Sequence, residues 1–300
     1  MSDGRIRVAV IGTGNIGTDL AERILMDPDF ELVAVVGRRK NSPGLSRFAG
    51  RGPLTIAEGI DGLSSLWLEL DGVFDATSAS AHAEHWPEIR KQSKWAVDLT
   101  PSRIGKSFVP VLAEKLSSMH LLESPAANYS MVTCGGQSSA PLIHAIGGHF
   151  ESIEEIEVSS SIAALSAGPA TRENIDEYIE ATETLATKIA GCPTTKSILV
   201  LNPATPPVMM RTTVTVRGGG FDLELIREQA TALTRATQSY VPGYELIVAP
   251  HVTTSGDVSA TVIVKGAGYY LPEYSGNLDI INAAAVETAR RHYFRHSRGV

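Results

Sequence analysis

Ile6-Arg7-Val8-Ala9-Val10-Ile11-Gly12-Thr13-Gly14-Asn15-Ile16-Gly17 decides the fold. Six mostly apolar residues predict a short buried strand. Gly12-x-Gly14-x-x-Gly17 follows directly, residues 18–26 have helical character, and Asp27-Pro28 breaks that helix. Residues 31–36 form a second apolar strand. Strand, glycine turn, helix and strand is the context in which this fingerprint signifies dinucleotide binding. Gly12 permits the tight turn, Gly14 lets backbone approach a pyrophosphate, and Gly17 lets the helix pack close to the strand. The pyrophosphate would lie at the positive end of the helix dipole. The competing reading of these glycines is a purely structural turn.

The alternation continues outward. Residues 55–59 begin another crossover, and 72–75 and 95–99 read as further strands ending in polar or small residues. The pattern predicts an α/β chain with a doubly wound parallel sheet, its ligands outside the carboxyl ends of the strands. The texture changes after about Ser124. Residues 130–134 read as a strand running into a glycine-rich turn, and 141–150 carry an apolar helical stripe. Residues 154–162, 197–201, 211–216, 244–249 and 258–265 alternate as strands do, while 171–188 and 221–239 read as helices. These predict an α+β unit on a mixed or antiparallel sheet. The expected division is a dinucleotide-binding domain over 1–130 and a second domain over 131–279, with a C-terminal helix over 280–300 packing back on the first.

Composition narrows the function. At 300 residues the chain has room for two packed lobes. A formal net charge of −7 argues against nucleic-acid binding, which depends on neutralising phosphates. No uninterrupted apolar run reaches membrane-spanning length. Residues 1–7 are polar and lead straight into a strand, so no secretory signal is read there. The only two cysteines, Cys134 and Cys192, lie far apart, which argues against a disulfide framework and fits a reducing cytoplasm. No Cys/His cluster has zinc-ligand spacing, so no metal is expected.

Two places carry chemistry. The second strand ends in Gly37-Arg38-Arg39-Lys40, where NAD enzymes usually carry an acidic residue for the ribose hydroxyls. Guanidinium groups favour a 2′-phosphate, so Arg38 leans the site toward tolerating NADP; a solvated basic loop is the equal alternative. Met131-Val132-Thr133-Cys134-Gly135-Gly136-Gln137 sets a thiol between an apolar strand and a helix, with glycine amides exposed beside it. A thiolate attacks an aldehyde, hydride leaves the resulting thiohemiacetal, and a thioester remains. A helix N-terminus would lower the thiol pKa and stabilise the oxyanion. A buried structural cysteine is the competing reading, and Cys192, in Ala190-Gly191-Cys192-Pro193, is taken as structural or incidental. His82 and His85 could line the cofactor crevice, or serve as surface or capping residues. Asp98 is expected to position the Thr100-Pro101 loop.

These stretches also occur in a known order. Gly14–Leu20, Val73–Ser78, Val97–Pro101, Met131–Gln137, Asn174–Glu177, Tyr240–Tyr244 and Tyr274–Ile280 together resemble the acylating, CoA-dependent acetaldehyde dehydrogenases that partner 4-hydroxy-2-oxovalerate aldolases in bacterial meta-cleavage of aromatic compounds. The resemblance implies a Rossmann-like first domain and a catalytic and dimerisation second domain. It implies Cys134 as the acyl-thioester nucleophile, pyrophosphate contacts from Thr13, Gly14, Asn15 and Ile16, and Asn277 beside the nicotinamide. Ser166, Ala167, Gly168, Pro169, Ala170, Thr171, Arg172, Glu173 and Asn174 match the family's second cofactor loop, with Ala170 where the family usually has Gly. It further implies NAD, coenzyme A as co-substrate, a short aldehyde such as acetaldehyde or propanal, and a homodimer within a heterotetramer that passes aldehyde from the aldolase through a tunnel.

One departure matters. The family usually has Asp after the pair matching Met210-Arg211; here the residue is Thr212. A hydroxyl cannot hold a proton at a useful pKa. Either the helix N-terminus alone generates thiolate or another carboxylate serves. Two other functions stay open: a phosphate-dependent reductase like the semialdehyde dehydrogenases, and a weakly active structural partner of an aldolase.

Overall fold

The opening strand is β1 (Ile6–Ile11), and the glycine turn leads into α1 (Asn15–Met26) and β2 (Phe30–Val36). The computed structural model describes residues 4–168, 171–172 and 174–297. A four-residue α2 (Pro43–Ser46), β3 (Leu54–Ile56), β4 (Gly72–Asp75), α3 (Ala79–Lys91), β5 (Trp95–Asp98), β6 (Lys106–Ser107) and β7 (Asn128–Ser130) follow. The seven strands pair in parallel in the order β3-β2-β1-β4-β5-β7-β6. Val8, Ala9 and Val10 are all fully buried, as a sheet covered on both faces requires. Strand order reverses direction between β1 and β4, so the crevice for a ligand opens there, beyond the carboxyl ends.

The rest of the chain is α4 (Cys134–Gly147), β8 (Phe150–Ala163), α5 (Ile175–Ala190), β9 (Thr195–Asn202), β10 (Met210–Phe221), α6 (Leu223–Gln238), β11 (Tyr244–Val252), β12 (Val258–Val264) and α7 (Gly276–Ser297). The second sheet runs β11-β12-β10-β8-β9, antiparallel except for β8 with β9. Val214 and Val216 of β10 point into the core, while Arg211 and Arg217 point out, the alternation of a sheet covered on one face. Helices α4, α5 and α6 cover the inner face. On the outer face the edge strand β9 leaves Ile198 and Val200 each 44% exposed. No described helix is long and apolar enough to cross a membrane.

Several expected boundaries shift. The strand expected over 130–134 ends at Ser130, because Val132 has φ +62°, which no strand accommodates. The helix expected from 141 begins seven residues earlier, at Cys134, and Phe150 belongs to β8. The C-terminal helix starts at Gly276 rather than 280. A Cβ on Gly276 would come within 2.0 Å of the Val264 carbonyl oxygen, so this glycine serves close packing inside a helix, not a turn. Helix α7 packs against both α1 and α4. Arg23 of α1 donates to Asp279 at 2.5 Å, and the Asn282 amide donates to Asp19 at 2.9 Å.

Candidate active site

At the glycine turn, Gly12 has φ +113°, and a Cβ there would lie 2.5 Å from the Ala76 carbonyl oxygen. A Cβ on Gly17 would lie 2.1 Å from the Gly12 oxygen. Both positions therefore exclude any side chain. Gly14 differs: a Cβ there meets nothing within 4 Å, leaving open space in front of the first turn of α1. Gly12, Thr13 and Gly14 line a crevice of about 960 Å³, the size of a cofactor site. Asn15, Ile16 and Gly17 form the first turn of α1 beside it. Arg38 and Arg39, both exposed, line the opposite wall with Ser42, whose hydroxyl lies 2.8 Å from that of Thr13.

The far end of this crevice is fixed by a buried carboxylate. Asp75 ends β4, and its Oδ2 accepts from His82 Nδ1 at 3.0 Å and from His85 Nδ1 at 2.8 Å. Burial pushes its pKa up, but the hydrogen bonds from His82, His85 and Thr77 outweigh burial and hold it well below the ordinary carboxylate range. His82 is fully buried between Asp75 and Asn128 and does not line the crevice; His85 does. Asp98 accepts from the Thr100 amide at 2.8 Å and the Ser102 hydroxyl at 2.5 Å, holding the loop after β5 as expected.

Cys134 opens α4. The chain leaves β7, reverses at Val132, and Thr133 caps the helix by accepting from the Gly136 amide at 2.8 Å. Because β1, β4, β5 and β7 are parallel, the glycine turn and Cys134 stand on the same sheet edge. Three strand spacings separate them, roughly 14 Å. Gln137, one turn along α4, ties that turn down by donating to the carbonyls of Phe108 and Met131.

The thiol is not in the state the sequence predicted. Burial pushes it up, to about 11, and outweighs the lowering by Tyr178 and the amides of Gly135 and Cys134. The resting sulfur is a protonated thiol that donates to the Tyr178 hydroxyl at 3.7 Å. Gly135 makes that approach possible, since a Cβ there would lie 2.1 Å from the Tyr178 oxygen. In an open helix Gly→Ala gains about 1 kcal/mol. Here Gly135→Ala is expected instead to cost about 1–3 kcal/mol through overpacking. Thermal denaturation checks this; an alanine variant as stable as the wild type contradicts the contact.

Thr212 is fully buried in β10 and sits between two hydroxyls, Ser138 Oγ at 2.8 Å and Ser160 Oγ at 3.0 Å. Tyr178, Ser160 and Ser138 were not legible as site residues. They come from α5, β8 and α4, and no local motif joins them. Cys192 is buried and its thiol donates to the Thr194 carbonyl.

The second expected cofactor loop is only partly described. Ser166 and Ala167 are buried, and Ser166 donates to the Ala163 carbonyl. Arg172 donates to the carbonyls of Ala164 and Ala167, tying it back to the residues that follow β8. Asn174 precedes α5. Pro169, Ala170 and Glu173 lie outside the described residues. Asn277, in the first turn of α7, is 2% exposed and its Oδ1 has no hydrogen-bond partner. A buried acceptor without a donor is what a carboxamide would satisfy. With the bare glycine turn and the open space at Gly14, it makes the residues present fit a nicotinamide dinucleotide.

Residues 134–272 match the family described as prokaryotic acetaldehyde dehydrogenase, dimerisation, and residues 7–121 match the semialdehyde dehydrogenase NAD binding domain. An acetaldehyde dehydrogenase of Spirochaeta aurantia is 44% identical, over 96% of this chain and 94% of the relative. One from Pectobacterium atrosepticum is 42% identical over 94% of each. Among solved structures, aspartate semialdehyde dehydrogenase II of Vibrio cholerae superposes with a TM-score of 0.63 at 13% identity, covering 98% of this chain and 99% of that one. The Candida albicans aspartate semialdehyde dehydrogenase with NADP also gives 0.63, at 12% identity, covering 95% and 99%. At such identities these two structures establish the shared fold alone.

Proposed function

This chain belongs to the acetaldehyde dehydrogenase family, and on that premise we propose that it converts a short aliphatic aldehyde, CoA and NAD(P)+ into acyl-CoA and NAD(P)H, with Cys134 as the nucleophile. The observation that carries this reading is the position of Cys134, in the first turn of α4 and on the same sheet edge as the glycine turn.

The steps follow from the residues. Cys134 loses its proton to water and its sulfur bonds to the aldehyde carbon. The developing oxyanion would lie near the backbone N–H groups of Cys134 and Gly135, which stand at the sulfur in the first turn of α4. Bound NAD(P)+ supplies the acceptor for the hydride. The Cys134 thioester that remains is attacked by the CoA thiol, the carbon–sulfur bond to Cys134 breaks, and the CoA proton returns to the leaving sulfur. Gly12, Thr13, Gly14, Asn15, Ile16 and Gly17 would hold the pyrophosphate, and Asn277 the carboxamide. The described part of loop 166–174 would close over the nicotinamide.

Arg38 supports use of NADP+ as well as NAD+, since no acidic side chain ends β2. Arg38→Asp is expected to shift the NADP+/NAD+ ratio of kcat/KM toward NAD+ by about tenfold or more. Steady-state rates with each cofactor check this, and an unchanged ratio removes Arg38 from the site.

The apolar residues left on β9 support a homodimer through the outer face of the second sheet, with the division at 1–130 and 131–279 as its domain plan. Partnership with an aldolase, a role in aromatic catabolism and a cytoplasmic location extend this proposal. The direct test is formation of reduced nicotinamide from acetaldehyde with CoA, with phosphate or arsenate in its place, and with neither. Turnover that requires CoA supports the reading; turnover driven by phosphate instead identifies a semialdehyde dehydrogenase-like enzyme.

A further inference from the structure

The Tyr178 hydroxyl is the one side-chain hydrogen-bond partner of the Cys134 sulfur among the described residues. It stands in the first turn of α5 and is 8% exposed. The Ser160 hydroxyl stands beside it, the two oxygens lying 3.1 and 2.1 Å from the point a Cβ on Gly135 would occupy, and acts on the phenol as a donor. Ser160 continues to Thr212 at 3.0 Å, Thr212 to Ser138 at 2.8 Å, and Ser138 donates to the Gly135 carbonyl at 3.1 Å. Ser160, Thr212 and Ser138 are each buried. Four hydroxyls thus lie in series from the sulfur back to the residue beside it.

Every member of that chain both donates and accepts. With a thiol, each O–H points away from sulfur, and the series ends on the Gly135 carbonyl. With a thiolate, all four O–H groups rotate: Ser138 donates to Thr212, Thr212 to Ser160, Ser160 to Tyr178, and Tyr178 to sulfur. The chain gains and loses no proton in this reversal. The proton that leaves sulfur goes to water.

We propose that Tyr178 is the hydrogen-bond donor that stabilises the Cys134 thiolate, backed by Ser160, Thr212 and Ser138 as a reversible hydroxyl chain. This rests on Cys134 being the nucleophile. The same donor assists departure of the Cys134 sulfur when CoA attacks the thioester, because the leaving group is that thiolate. Threonine at 212 now has a physical reason. A carboxylate there would accept from Ser138 and Ser160 alike, fixing the Ser160 proton away from Tyr178 so that Ser160 could not back the Tyr178 donor. A hydroxyl leaves both directions available. Burial, with Cys134 beside it, pushes the Tyr178 phenol well above 10, so it stays an O–H donor at neutral pH and is no base. The groups acting on the thiol are Tyr178 and two backbone amides, with no charged side chain among them.

The test is the pH dependence of Cys134 alkylation by iodoacetamide in the full-length protein, for wild type, Tyr178→Phe and Thr212→Val, with Cys134→Ala as the blank. Tyr178→Phe is expected to move the midpoint up by about one unit, a tenfold loss of thiolate at a given pH. Its kcat at neutral pH is expected to fall about tenfold, recover as pH rises, and leave the KM for aldehyde little changed. Thr212→Val keeps Tyr178 against sulfur but cuts the chain, and gives a smaller shift in the same direction. Coincident alkylation profiles for Tyr178→Phe and wild type overturn the proposal. If the phenylalanine variant fails to fold, a Thr212→Val profile identical to wild type overturns it. Full turnover by Cys134→Ala would sink the nucleophile reading separately, since alkylation reports the hydrogen bond without any turnover.

Discussion

Cys134→Ala is expected to lower CoA-dependent formation of reduced nicotinamide by on the order of 10⁴-fold or more. The covalent route splits aldehyde oxidation and acyl transfer into two steps that share one sulfur, so removing it stops both. No other thiol can substitute, because Cys192 is buried at the end of α5 with its S–H donated to Thr194. The alanine variant should fold and bind cofactor normally. Its side chain removes only one sulfur from a partly buried position, and Cys134 does not line the dinucleotide crevice. Initial rates with and without CoA, alongside titration with NADH, separate the two effects. Retained turnover would contradict the mechanism, and lost NADH binding would mean that the thiol has a structural task.

The three glycines of the turn are expected to divide by function. In Gly12→Ala the new Cβ meets the Ala76 carbonyl oxygen at 2.5 Å at a residue with φ +113°. In Gly17→Ala it meets the Gly12 oxygen at 2.1 Å. Both clashes are with backbone where β1 and β4 end, so neither is relieved by a side-chain rotation. Each substitution is expected to cost about 2–5 kcal/mol, the sum of overpacking and, at Gly12, left-handed strain. Gly14→Ala is different. Gly14 has φ −78°, which alanine adopts freely, and its Cβ would point into open space. Stability should be kept, while affinity for NADH falls about tenfold or more as the methyl meets the pyrophosphate. Thermal denaturation and NADH titration on the three variants test this. A Gly14→Ala protein that binds as tightly as wild type would move the pyrophosphate elsewhere.

What the sequence made legible was local. The turn at residues 12–17 announces itself through three glycines between an apolar strand and a helix, and Cys134 through its glycine neighbours. The resemblance across seven stretches supplied the family. Illegible were features made by distant parts of the chain. Val132 sits in a run with strand pattern, and nothing in Met131-Val132-Thr133 signals a left-handed backbone at a β-branched residue. Gly276 reads as a turn until the Val264 carbonyl is seen against its Cα. His82 reads as a crevice-lining, surface or capping residue, yet it is fully buried against Asp75. The thiol's raised pKa comes from burial under α5, which no pattern near Cys134 records. The neighbours of Thr212 likewise come from elements that meet only in the folded second sheet and its covering helices.

The most direct test of the account is to trap the acyl group. Wild-type protein would be mixed with acetaldehyde and NAD+ without CoA, quenched in acid, digested, and its Cys134 peptide weighed by mass spectrometry. The account predicts one acetyl group on Cys134, formed with one equivalent of NADH and removed when CoA is added before the quench. A burst of NADH with an unmodified Cys134 peptide would contradict it.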